Sequence, residues 1–188
     1  MLDTDDETGM LSRYFVRKGM SDCSTSQLID LLTDDDRIVR SSAGFLLHLS
    51  GGSSTDFERI AGLASHAEAY VREVAAYALG QFGTPDYPFH ARSIPLLSRM
   101  AHDTDDEVRL AAVSALGHLR GDEAWEVILD AAKDSSPDVR WVVAWLLEFM
   151  EESERSVAAL VALAADPDSD VRAAAQESLD ELRREGDR

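Results

Sequence analysis

The chain has 188 residues, 45% of them hydrophobic and 29% charged, with 36 acidic side chains against 18 basic and a net charge of −18. A nucleic-acid backbone is neutralised by clustered Lys and Arg, so this balance excludes a nucleic-acid binder; it fits surplus acid that keeps a chain soluble, or a surface that steers a cationic protein partner. Cys23 is the only cysteine, which excludes an internal disulfide and a thiolate metal cluster, and no apolar stretch is long enough to span a bilayer, so a cytoplasmic chain is expected.

In chain order, residues 1–25 read as an acidic, disordered start followed by a partial helical cap, with the disorder expected over residues 1–9. Helical spacing of apolar residues then predicts helices near 26–33 and 37–49, 55–65 and 69–82, 91–102 and 106–119, 122–133 and 137–150, and 153–165 and 169–184. Each pair is a first helix, a short polar turn and a second helix. Between the second and third pairs, Gly83-Thr84-Pro85-Asp86-Tyr87-Pro88-Phe89-His90 reads as an inserted loop. Its two aromatics either bind a partner or pack back over the helices. Residues 185–188 form a polar tail.

A Val-Arg dipeptide opens every second helix, at Val39-Arg40, Val71-Arg72, Val108-Arg109, Val139-Arg140 and Val171-Arg172. The arginines are spaced by 32, 37, 31 and 32 residues, and a near-constant period in this range marks a solenoid whose units bury their apolar faces on their neighbours. Four residues before the arginine stand Asp36, Asp105, Ser136 and Asp168, each at an N-cap position; Glu68 occupies it in the second unit and offers no clear cap. Pro137 fits a first helical turn.

With Val71-Arg72-Glu73-Val74-Ala75-Ala76-Tyr77-Ala78-Leu79-Gly80 and the matching run from Val108 to Gly117 in view, the chain resembles HEAT-like repeats of the phycobilisome-lyase type over residues 26–184. The resemblance implies an all-α, right-handed α-solenoid of about five helix pairs. It also implies that Arg40, Arg72, Arg109, Arg140 and Arg172 form a structural ladder pairing with acidic residues of their own or an adjacent repeat. Asp34, Asp103, Asp134 and Asp166, each six residues before an arginine, are the expected partners. The family glycine after the leucine remains as Gly80 and Gly117, while His48, Glu148 and Asp180 replace it, so those helices are expected to continue or to turn differently.

Counting from the arginine as zero, positions −1, +3, +6 and +7 form the buried stripe and +1, +5 and +8 the opposite face. Position +5 is Phe45, Tyr77, Ser114, Trp145 and Glu177; position +1 is Ser41, Glu73, Leu110, Trp141 and Ala173. Aromatic side chains thus collect on the outward face, which the resemblance places along a concave surface. Phe45, Tyr77, Leu110, Trp141 and Trp145 are the expected apolar anchors, fringed by Glu73, Glu148 and Glu177. The alternative is that curvature packs these rings against one another. Trp125, on a first helix, is expected in the core.

Nothing in the chain builds a nucleophile–base pair, a phosphate-cradling loop or a paired-histidine metal motif, and no catalytic residue, metal or cofactor is expected. Asp166-Pro167-Asp168-Ser169-Asp170 has the look of a calcium loop, but Val171 sits where the sharp-turn glycine belongs. The expectation is a monomeric, non-enzymatic module that binds a basic protein in the acid-fringed groove, as an immunity-type inhibitor of a cationic toxin would. A bilin lyase subunit and a general regulatory scaffold are the alternatives that the resemblance leaves open.

Overall fold

A computed structural model describes residues 4–50, 52–149 and 154–186. Among them are eleven α-helices and one 3-10 turn, with no strand. The helices are α1 (Thr4–Gly19), α2 (Thr25–Asp30, continued by the 3-10 turn Leu31–Thr33), α3 (Arg37–Leu47), α4 (Ser54–Leu63), α5 (Ala69–Gln81) and α6 (His90–Met100), then α7 (Asp106–Leu119), α8 (Asp122–Ala131), α9 (Pro137–Leu147), α10 (Glu154–Leu163) and α11 (Ser169–Gly186). The chain divides into two compact units, one ending at Leu96 and the other beginning at Leu97.

In the first unit α2 packs on α3 and α4 on α5, while α3 packs on α5 and α2 on α4, giving two layers. Its core is Leu28, Leu32, Ala43, Leu47, Phe57, Ile60, Val71, Ala75 and Leu79, all buried. The inserted loop closes back on this unit: the Phe89 ring stacks on Phe57 at 4.8 Å and on Phe82 at 5.7 Å. Gly83 takes a φ of 83° that a side chain would disfavour, and a Cβ there would lie 2.6 Å from Pro88 Cδ.

The second unit repeats the two layers. Second helices α7, α9 and α11 pack side by side, and first helices α8 and α10 pack against them. At −1, +3 and +7 of α7, α9 and α11 the side chains are fully or nearly fully buried: Val108, Ala112 and Leu116; Val139, Val143 and Leu147; Val171, Ala175 and Leu179. Each aliphatic side chain buried this way contributes about 1.5–3 kcal/mol for the larger residues. Gly117 lets α7 and α9 approach closely, since a Cβ there would fall 2.3 Å from Leu146 Cδ2.

Caps fix where the second helices start. Asp36 accepts from the amides of Ile38 and Val39, Asp105 from Glu107 and Val108, and Asp168 from Asp170 and Val171. Glu68 makes no such bond, as expected. Ser136 does not cap, contrary to expectation; as in the other repeats, its turn is held by its own amide, which donates to Asp134 Oδ1 at 2.8 Å.

α1 takes in residues from Thr4 onward of the stretch expected to be disordered and packs on α3, and residues 1–3 lie outside the described residues. One further expectation is corrected. Trp125 is half-buried rather than in the core. Where the family glycine is replaced, α3 and α9 stop at once, capped by His48 and Glu148, whereas α11 continues to Gly186, so part of the expected tail 185–188 is helical.

Candidate functional site

The repeat arginines define the frame that carries the site. Each one donates through Nη1 to the two backbone carbonyls at −6 and −5, in its own turn. Arg40 binds Asp34 O at 2.6 Å and Asp35 O at 2.9 Å; Arg72 binds His66 O and Ala67 O at 2.9 and 3.0 Å. Arg109, Arg140 and Arg172 do the same to Asp103 and Thr104, Asp134 and Ser135, and Asp166 and Pro167. These carbonyls would otherwise be left without partners at a helix–helix turn.

The aspartates six residues upstream therefore do not give their carboxylates to the arginine of their own repeat. Their Oδ1 atoms accept the amide two residues on, at Asp36, Asp105, Ser136 and Asp168. Within the second unit Asp134 and Asp166 also receive the preceding repeat's arginine side-on. Arg109 Nε and Nη2 reach Asp134 at 2.8 and 2.9 Å, and Arg140 Nε and Nη2 reach Asp166 at 2.7 and 2.8 Å. In the second repeat His66 stands in for the aspartate, accepting the Glu68 amide through Nδ1 at 3.1 Å, and Arg40 lies over the Tyr70 ring at 4.2 Å.

Burial pushes the Asp134 carboxyl up, but the hydrogen bonds from Arg109 and the Ser136 amide outweigh it and hold the group below its usual range. Asp166 is likewise held low, chiefly by its hydrogen bonds from Arg140 against the opposing effect of burial. The first helices add exposed rungs, Arg59 to Asp30 at 2.6 Å and Arg155 to Glu126 at 2.5 Å. Being open to water, these contribute little.

On the face opposite the stripe, α9 and α11 bound a groove of about 460 Å³. Trp141, Trp145 and Glu148 line it from α9, and Asp170, Ala173, Ala174, Glu177 and Ser178 from α11. The groove exists because α11 presents alanines opposite two indoles. Ser178 Oγ donates to Ala144 O at 3.0 Å and holds the two helices together beneath it. Trp141 and Trp145 remain 44% and 45% exposed, so curvature has not packed them away. Phe149, just past the end of α9, is 48% exposed and meets Trp145 edge-on at 4.9 Å, extending the aromatic row of Trp141 and Trp145 beyond the helix. Asp170, in the first turn of α11, lines the groove as well.

Of the expected site residues, Trp141, Trp145, Glu148 and Glu177 thus come together. Leu110 is half-buried on α7. Phe45, Glu73 and Tyr77 lie in the first unit, on α3 and α5. There the face is partly covered by the chain itself: the Arg17 guanidinium of α1 sits 3.8 Å over the Phe45 ring. Tyr77 is 38% exposed; burial raises its phenol above the usual value, and the nearby Arg17 charge opposes that. Among the described residues no group of three His, Cys, Asp or Glu is arranged to hold a metal ion.

The repeat geometry matches known sequence families. The profile of HEAT repeats matches residues 93–180, and that of the PBS lyase HEAT-like repeat matches residues 71–103. The chain is a HEAT-like repeat protein. Among solved structures, this HEAT-like chain is similar to YibA of Escherichia coli, with a TM-score of 0.77 and 24% identity over 90% of its length; it spans 63% of YibA. It is also similar to a designed armadillo repeat protein in complex with the peptide (KR)4, with a TM-score of 0.59 and 17% identity, covering 88% of this chain and 84% of that one. An engineered protein solved by crystallography covers 97% of the chain at a TM-score of 0.58 and 20% identity. These likenesses place the fold among α-solenoids. No curated protein matches the chain.

Proposed function

We propose that this chain is a protein-interaction module whose groove between α9 and α11 receives a basic segment of a protein partner. The carrying observation is the lining itself: two half-exposed indoles beside three carboxylates, Glu148, Asp170 and Glu177, in one concavity. The indoles offer apolar area at little entropic cost, and the carboxylates steer cations and fix register. The peptide (KR)4 bound to the designed armadillo neighbour is basic, which is in keeping with this reading. Within it, the chain acts as a cytoplasmic monomer without chemistry of its own, and an immunity-type inhibitor of a cationic toxin is the specific role that suits the acidic charge. Among the described residues no helix is long and apolar enough to cross a membrane. A bilin is disfavoured, because its propionates carry the same sign as the lining carboxylates.

Titration of the full chain with a labelled octapeptide of alternating Lys and Arg tests the reading. Binding is expected to weaken as salt is raised, and Trp145→Ala to cost more than about 1 kcal/mol of affinity with helicity unchanged, since that side chain is half exposed and its loss leaves no core void. Unchanged affinity in the variant would reject the groove.

A further inference from the structure

We propose, building on the groove reading above, that the site is selective for arginine over lysine. The molecule already contains an occupied counterpart. Phe45 stands five residues after Arg40 on α3, as Trp145 stands five residues after Arg140 on α9. Over Phe45 lies the Arg17 guanidinium, 3.8 Å from the ring centroid. Arg17 Nε is buried there without a hydrogen-bond partner, so the ring face is what receives that part of the cation. A guanidinium over a ring recurs at Arg40 over Tyr70, 4.2 Å from the centroid, and Arg92 over Phe57, 4.3 Å.

Trp145 presents a larger π-face at the same repeat position and is 45% exposed. A guanidinium is planar and weakly hydrated, so it can lie on an indole while its edge still donates N–H groups to carboxylates. Glu148 and Glu177 line the same groove as Trp145 and supply those acceptors. A lysine ammonium is a compact, strongly hydrated charge with no face to stack. It would gain the carboxylates but give up hydration to approach the ring. At equal charge, the arginine segment therefore binds more tightly.

The experiment compares two labelled octapeptides, alternating Arg-Ser and alternating Lys-Ser, binding to the full chain at one ionic strength. The arginine peptide is expected to bind roughly tenfold more tightly, with the preference falling to about twofold or less in Trp145→Ala. Glu177→Gln is expected to weaken both peptides by similar factors. Equal binding of the two peptides would overturn the selectivity and leave the basic-segment reading standing. A preference that persists in Trp145→Ala would overturn it too, by removing the ring from the recognition. Binding of neither peptide would overturn the groove reading itself.

Discussion

Arg140 grips Asp166 side-on, Nε to Oδ2 at 2.7 Å and Nη2 to Oδ1 at 2.8 Å, while its remaining nitrogen Nη1 holds the carbonyls of Asp134 and Ser135. One guanidinium thereby ties its own turn to the turn of the next repeat. Asp166 in turn orders the backbone of its own turn through the Asp168 amide, so this pair links the turn before α9 to the turn before α11.

Because the contact needs a planar fork, Arg140→Lys is expected to destabilise the chain by about 1.5–3 kcal/mol. Urea denaturation followed by circular dichroism measures it. A change below about 0.5 kcal/mol would mean that the ladder does not hold the repeats together.

The ladder also sets an acid limit. Asp134 and Asp166 have folded-state pKa values below their unfolded ones, near 3.9, so the unfolded chain takes up protons first as pH falls. Their stabilisation is fully present above the ordinary carboxylate range and is lost as pH drops through the depressed values. The Asp134→Asn, Asp166→Asn double variant is expected to be less stable at neutral pH, with a shallower decline below about pH 4. Unfolding free energies from pH 7 to pH 3 check the slopes; parallel curves would count against the pairs.

The caps predict a contrast between repeats. Asp105→Ala removes an acceptor of two helix-start amides and is expected to cost about 1 kcal/mol. Ser136→Ala removes no cap bond and is expected to cost less than about 0.5 kcal/mol. Equal losses in thermal melts of the two variants would contradict this assignment.

Helices and most caps were legible because their causes are local. A period near 3.6 and a side-chain acceptor at the helix start are both written within a few residues. Of the candidate site, Trp141, Trp145, Glu148 and Glu177 were placed by the same helical arithmetic. The ladder was only half visible, since Arg140 and Asp166 are 26 residues apart and the contacts at −6 and −5 go to carbonyls that every residue has. Phe149 follows Trp145 at helical spacing but lies outside the positions that recur in all five repeats, so the period does not point to it. Arg17 over Phe45 belongs to α1, outside the repeat, where periodicity offers no guide.

The three tryptophans allow the central claim to be tested directly. Trp141 and Trp145 line the groove, and Trp125 sits half-buried on α8 as an internal control. Adding the alternating Lys-Arg octapeptide to 15N-labelled chain should shift the indole N–H resonances of Trp141 and Trp145 and leave that of Trp125 in place. A peptide that binds while only Trp125 responds, or while no indole responds, would contradict the groove.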